Sequence, residues 1–324
     1  MPGMACDNRA MHLIVPYAAS LNLDPTQALK GLQLPHLQAL LGVLQHSDTD
    51  RDDGTTPHLP HERTLARALG WLDTDPSAHS ALPWAAWQSG ATDDTPQAWI
   101  TPCHWQIGMD QVVMADPAAL QLSDEESQQL LHALQPFLQE DGLQVTWHSA
   151  GQWHVRGDLL TGLETASLDR VIHQNVKDWM PQGPAARPVQ RLQSEMQMLL
   201  YNHPVNDARE ARRQITVNSF WLHGAGALPA PSAAPTLRLE IPMALRSAAL
   251  HGDVQAWRQA WQQLDATAMA DLLAHFKATG QATLSLCSEH AAHAYTAAPV
   301  AWHQRVTRLF NKTTPAAALT ALIL

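Results

Sequence analysis

Apolar positions along this chain recur at two spacings, and these sort it into strands and helices. Met11 to Val15 is a short apolar run closed by Pro16-Tyr17-Ala18, and it reads as a buried first strand ending in a loop. Pro35 to Leu44 places Leu37, Leu40, Leu41 and Leu44 on one helical face, and His61 to Leu69 reads as a further helix with Gly70 as its C-cap. Ser123 and Glu126 form a capping box ahead of a helix carrying Leu130, Leu131, Leu134 and Leu138. Leu143 to His148 and Gln152 to Arg156 alternate about Ser149-Ala150-Gly151, as a hairpin does. Ala166 to Pro181 holds a helix candidate around Ser167-Leu168-Asp169-Arg170.

Val189, Leu192, Met196, Leu199 and Leu200 share a helical face that starts near Pro188 and stops before Pro204, with Asn206 placed to cap a second, short helix. Ile215 to Leu222 reads as a strand. Val217, Ser219, Trp221 and His223 fall on one face, Asn218, Phe220 and Leu222 on the other. That strand runs into His223-Gly224-Ala225-Gly226. Leu237 to Ile241 and Gln281 to Cys287 are further strands. Asp253 caps a helix with Val254, Trp257, Trp261 and Leu264 inward, another helix carries Met269, Leu272, Leu273 and Phe276, and Ala301 to Phe310 closes the chain as a helix. Residues 46–60 are polar and read as a mobile loop. Residues 73–97 read as a linker or an exposed apolar knob around Trp84 and Trp87, and 227–235 as a Pro/Ala linker. The pattern predicts a mixed α/β protein. Its first and last strands form one layer system, and the middle of the chain forms a second.

Composition narrows the classes. A chain of 324 residues, 45% hydrophobic and 15% charged, can bury a large core. A formal net charge of −10 argues against general nucleic-acid binding, which depends on Lys and Arg neutralising phosphates. The cysteines, Cys6, Cys103 and Cys287, lie far apart and suggest neither a disulfide framework nor a zinc site. No apolar run is long enough to span a membrane and the first residues are too polar for a signal peptide, so the cytoplasm is the expected location.

Candidate chemistry concentrates between 193 and 226. His203, Asn206, Arg209, Asn218, His223, Gly224 and Gly226 are expected near one or two strand ends, where glycines let backbone N–H groups approach an anion. The plain alternative is a capped helix–helix corner followed by a tight turn. Arg156 and Arg170 are the cations expected beside a phosphate or carboxylate, because a guanidinium offers a two-pronged donor. Cys103 and His104 are sequence neighbours, but adjacent residues of an extended segment point to opposite faces and do not pair directly. His58 with His61 and the trio Glu289, His290 and His293 are the candidates for one divalent metal ion.

The stretch His203-Pro204-Val205-Asn206 through Arg209, Asn218 and Gly224-Ala225-Gly226 resembles a motif of the archaeal-type cofactor-independent phosphoglycerate mutases, with Asp169 and Arg170 in a colinear upstream match. The likeness runs over roughly 98 to 226. Taken whole, the chain resembles the bacterial RpfE-type regulatory proteins. The shared segments are His12-Leu13-Ile14-Val15-Pro16-Tyr17-Ala18, Thr101-Pro102-Cys103-His104-Trp105-Gln106 and Asn218-Ser219-Phe220-Trp221-Leu222-His223-Gly224. The resemblance implies an alkaline-phosphatase-like mixed-sheet core, 1–97 with 227–324, interrupted by a smaller α/β mutase-like insert, 98–226. It also implies a metal-binding Asp after the first strand, where Tyr17 and Ala18 stand here, and a nucleophilic Ser or Thr, for which Ser20 is the nearest hydroxyl.

Three functions stay open at this point. One is a non-catalytic regulatory relative holding a small phosphorylated or carboxylate ligand on Arg156, Asp169, Arg170, His203, Asn206, Arg209, Asn218, His223, Gly224 and Gly226, with no cofactor. The second is an active mutase or phosphotransferase. The third is a protein-interaction module with a vestigial pocket. None of the three requires nucleic acid or a membrane.

Overall fold

The computed structural model of the protein describes residues 9–72, 81–229, 237–297 and 313–324. In chain order the strands are β1 (Ala10–Val15), β2 (Gln45–Arg51), β3 (Gln97–Cys103), β4 (Trp105–Ile107), β5 (Val112–Met114), β6 (Gln144–Ser149), β7 (Gln152–Arg156), β8 (Ser219–Gly226), β9 (Leu237–Glu240), β10 (Ala282–Cys287) and β11 (Ala291–Thr296). The α-helices are α1 (Pro25–Leu29), α2 (Pro35–Val43), α3 (Pro60–Ala68), α4 (Trp84–Gln88), α5 (Asp124–Glu140), α6 (Leu168–Val171), α7 (Ala186–Tyr201), α8 (Pro204–Ala211), α9 (Arg246–Leu250), α10 (Val254–Leu264) and α11 (Ala270–Thr279), with a last short one at Pro315–Thr320. The expected helix at Ala301–Phe310 lies outside the described residues. Among the described residues no helix is long and apolar enough to cross a membrane.

The chain forms two compact units. The first comprises Met1–Thr55, Leu59–Pro76 and Ala234–Leu324, the second Thr56–His58 and Ser77–Ala233. Among the described residues, α4 therefore belongs to the second unit.

The first unit holds a five-stranded sheet in the order β2-β11-β10-β1-β9. β1 lies parallel to both β10 and β9, while β11 is antiparallel to both β10 and β2, so this is a mixed α/β sheet. Leu13, Ile14 and Val15 are fully buried, as their continuous apolar run requires of a central strand. β2 corrects the expectation of a loop at 46–60. Its sequence, Gln-His-Ser-Asp-Thr-Asp-Arg, has no apolar alternation because it is an edge strand, exposed at most positions and paired only with β11.

The second unit holds a four-stranded sheet, β6-β7-β3-β8, and a small β4–β5 ribbon. One face of the sheet carries the unit's core. Ala98, Ile100, Trp153, Val155, Phe220 and Leu222 pack there with Leu130, Leu134 and Leu138 of α5 and Val189, Leu192 and Met196 of α7. The capping box is formed as expected, with Ser123 Oγ accepting from Glu126 N–H and the Glu126 carboxylate accepting from Ser123 N–H. The strand predicted from Ile215 begins at Ser219. Val217 joins Phe220 and Leu222 in the core, so strict alternation starts only after Asn218. Trp84, expected on an exposed knob, is buried in α4.

Candidate functional site

The structure divides the sequence-derived residues of the second unit into two groups. Asn206, Arg209, Asn218 and His203 are fasteners of the chain. His203, not Asn206, is the N-cap of α8, and its Nδ1 accepts from Val205 N–H. Val205 is the second helical residue, the usual donor to an N-cap, and Pro204 at the first position forfeits no hydrogen bond. Asn206 lies inside the helix. Its Nδ2 donates to the carbonyls of Leu200 and Val217, and its Oδ1 accepts from Val217 N–H. Asn218 makes the same kind of two-way bond to the backbone of Trp105. Arg209 is fully buried, and its guanidinium donates to the carbonyls of Ile215 and Leu120 and to Glu126. Arginine buried in this way gives its fork to internal acceptors rather than presenting it at a surface. His104 is also a fastener, with Nδ1 on the Thr216 carbonyl, and burial pushes the Cys103 thiol up, so the pair is not an activated nucleophile.

Gly224 and Gly226 leave room for the start of helix α4. Gly224 has φ +64, and a Cβ there would lie 3.1 Å from Trp84 Cβ and 3.2 Å from Ala85 N. At Gly226 a Cβ would lie 3.2 Å from Pro83 Cβ.

The second group gathers on the face of the four-stranded sheet away from the core. Trp99 sits opposite His154 on one side and His223 on the other. The His148 and His154 rings lie 5.1 and 5.0 Å from that of Trp99. His223 Nε2 shares a 3.0 Å hydrogen bond with Thr101 Oγ1, and His154 Nε2 shares one of 2.7 Å with Gln97 Oε1. Burial takes the His223 pKa down to about 4 against a smaller upward pull from Asp169. His154 is lowered too, first by burial, then by Arg156 and His148. Both imidazoles are therefore neutral at pH 7 and can each donate or accept.

Arg156 lies two pairs along β7, opposite Gln97, with Nη2 at 3.0 and 2.8 Å from the Asp93 carboxylate oxygens in an exposed ion pair. The segment carrying Asp169 and Arg170 is tied to β8, because Trp221 Nε1 donates to the Ala166 carbonyl and Ala225 N–H to Thr165 Oγ1. Arg170 donates to the His58 carbonyl at 3.2 Å and lies 5.2 Å from the centre of the Trp179 ring. This face thus brings His223 and Arg156 onto one strand system, with Asp169 near enough to act on His223, whereas the contacts of Arg170 are with Thr56, His58 and Trp179. It adds Trp99, Thr101 and His154, which the sequence reading did not single out. The period-two alternation of Trp153-His154-Val155-Arg156 already placed His154 beside Arg156.

In the first unit the metal candidates are not gathered. Glu289 accepts from Ser20 Oγ at 2.5 Å, whereas His293, on β11, has its ring 5.3 Å from that of His46. Among the described residues no group of three or more His, Cys, Asp and Glu side chains is arranged to hold a metal ion. The loop after β1, where the resemblance implies a metal-binding Asp, is held by aromatic residues. Trp257 Nε1 donates to the Tyr17 carbonyl at 3.0 Å, Trp261 Nε1 to the Ala18 carbonyl at 3.1 Å, and the Tyr17 ring lies against that of His61.

No family model and no curated protein matches the chain. Among solved structures it is similar to the cofactor-independent phosphoglycerate mutase from Thermoplasma acidophilum DSM 1728. That match has 13% identity over 97% of this chain and 99% of that one, with a TM-score of 0.36. It is also similar to the PH0037 protein from Pyrococcus horikoshii, with 12% identity over 89% of this chain and 87% of that one and a TM-score of 0.43.

Proposed function

We propose that this chain is a non-catalytic, phosphoglycerate-mutase-like regulatory protein that binds a small phosphorylated or carboxylate ligand on the polar face of its second unit. The observation that carries this reading is the row His154–Trp99–His223, with Arg156 further along β7 and the α6 segment that carries Asp169 and Arg170 tied to β8 through Ala166 and Thr165. Neutral imidazoles and a hydroxyl hydrogen-bond to a small anion, and Arg156, whose ion pair with Asp93 is exposed, supplies the countercharge by exchanging that carboxylate for the ligand. The sequence likeness to phosphoglycerate mutases and RpfE-type proteins over the same residues supports the choice of ligand class. The non-catalytic part is supported by the β1 loop, where Tyr17 and Ala18 are fastened by two Trp indoles at the place of an implied metal carboxylate.

Calorimetry and thermal shift with 3-phosphoglycerate test the proposal. Saturable binding is expected, with a melting temperature that rises with ligand concentration. Arg156→Ala and His223→Gln should each weaken it by about tenfold, or roughly 1.4 kcal/mol. Affinity unchanged in both variants, or no binding at all, overturns the site. Mutase turnover with added manganese overturns the non-catalytic part.

A further inference from the structure

The first unit contains a cleft of about 250 Å³ lined by His12, Ser285, Asp48, Asp50, Thr64 and Arg67, with alanine and leucine walls. Its origin is legible in the register. Ser285 of β10 pairs with Ala294 of β11, which pairs with Asp48 of β2. Small and polar residues therefore follow one another across this face of the sheet. Helix α3 covers them with Thr64, Arg67 and Ala68 rather than with large apolar side chains. The space left is below the usual size of a drug-like pocket and suits a ligand of a few heavy atoms.

The lining selects by charge. Arg63 donates to Asp50 through Nε and Nη2 and to Asp52 through Nη1, and Arg67 Nη1 donates to Asp50. Two guanidinium ions and two carboxylates balance in that network. Asp48 adds one exposed carboxylate, which makes no hydrogen bond or ion pair among the described residues. The floor is neutral. His12 Nε2 and Ser285 Oγ share one hydrogen bond of 2.9 Å, and burial takes the His12 pKa down to about 4. In either tautomer the pair keeps a free acceptor lone pair on Oγ and one spare donor. The walls are Ala68, Leu237, Ala292 and Ala294.

We propose that this cleft binds a small aliphatic ammonium ion, its charged head at Asp48 and its hydrocarbon part along the alanine and leucine walls. A simple anion meets the unbalanced Asp48 charge. A hard divalent cation meets too few free carboxylates, since those cations take six or more oxygen ligands. The assignment is independent of the anion site proposed for the second unit and involves none of its residues.

Titration of the full chain with n-butylammonium chloride, followed by calorimetry and by NMR line shifts, tests it, with n-butanol as the uncharged comparison. Saturable binding of the amine is expected, with n-butanol at least tenfold weaker. Asp48→Asn should weaken the amine at least tenfold. Because Asp48 is exposed on an edge strand, that variant keeps the fold, and a matching melting temperature checks this. Ala68→Leu, which fills the cleft from a helix position, should abolish binding. The proposal is overturned by non-saturable titration, by equal affinity for n-butanol, or by an Asp48→Asn affinity within twofold of the parent.

Discussion

Asn206 and Val217 exchange a pair of hydrogen bonds. Oδ1 accepts from Val217 N–H at 2.9 Å, and Nδ2 donates to the Val217 carbonyl at 2.8 Å while also reaching the Leu200 carbonyl at 2.7 Å. One buried side chain thus satisfies the end of α7 and the approach to β8. Asn206→Ala leaves three backbone groups without that partner and is expected to cost about 2–4 kcal/mol in urea unfolding. Asn206→Asp turns a carboxylate toward two carbonyls and is expected to cost more. Equal stability of Asn206→Ala and the parent would remove the fastening role and reopen a ligand role for this residue.

Gly224 has a different task. With φ +64 and Trp84 and Ala85 backbone atoms within 3.7 Å of an added Cβ, Gly224→Ala combines left-handed strain with a clash. Gly142 has φ +77 and nothing within 4 Å, so Gly142→Ala carries the strain alone. The strain is worth about 1–2 kcal/mol. Gly224→Ala should therefore lower the melting temperature clearly more than Gly142→Ala. Similar losses for the two would mean that α4 yields without cost.

These two residues also show what was legible in the sequence. The mixed α/β class, β1, the α5 capping box, the β6–β7 hairpin and the Asp253 cap are set by short-range periodicity and capping chemistry, and they appear where expected. β2 was not legible, because its polar residues owe their order to pairing with β11, more than two hundred positions away. Arg209 reads as a ligand cation from its place after His203-Pro204-Val205-Asn206, and its sequence neighbours Asp207 and Glu210 do not face it on a helix. Its partner, Glu126, comes from the capping box 83 residues earlier and also receives Arg212. The polar face around Trp99 depends on which strands adjoin, and strand order is a tertiary property. Alternation gave its sides but not its neighbours.

His12 predicts an acid-sensitive first unit. Burial depresses its folded pKa from 6.5 to about 4. Stability from the neutral ring is therefore complete above about pH 6.5 and is lost as pH falls toward 4. The full loss is on the order of 3 kcal/mol, from about 1.4 kcal/mol per pKa unit. His12→Gln, which keeps a partner for Ser285, should flatten that part of the stability profile. An unchanged slope between pH 6.5 and 4 would place the acid sensitivity elsewhere.

Glu289 acts with the opposite sign. Burial raises its pKa, partly offset by the hydrogen bond from Ser20, and its Oε2 is buried with no hydrogen-bond partner among the described residues. A carboxyl group whose folded pKa is raised contributes fully below the unfolded value, near 4.5, and loses that contribution as pH climbs through the folded value. Above its folded pKa the ionised group is a net cost. Glu289→Gln removes the charge and keeps an acceptor for Ser20, so it should raise the melting temperature at pH 8, by roughly 2–4 °C for each kcal/mol recovered. The gain should shrink to nothing near pH 4, where the parent carboxyl is already protonated. Ser20→Ala should deepen the neutral-pH cost, because it removes the donor that favours the charged form. A gain from Glu289→Gln that is constant from pH 4 to 8 would show that packing, not ionisation, distinguishes the two side chains at this strand end.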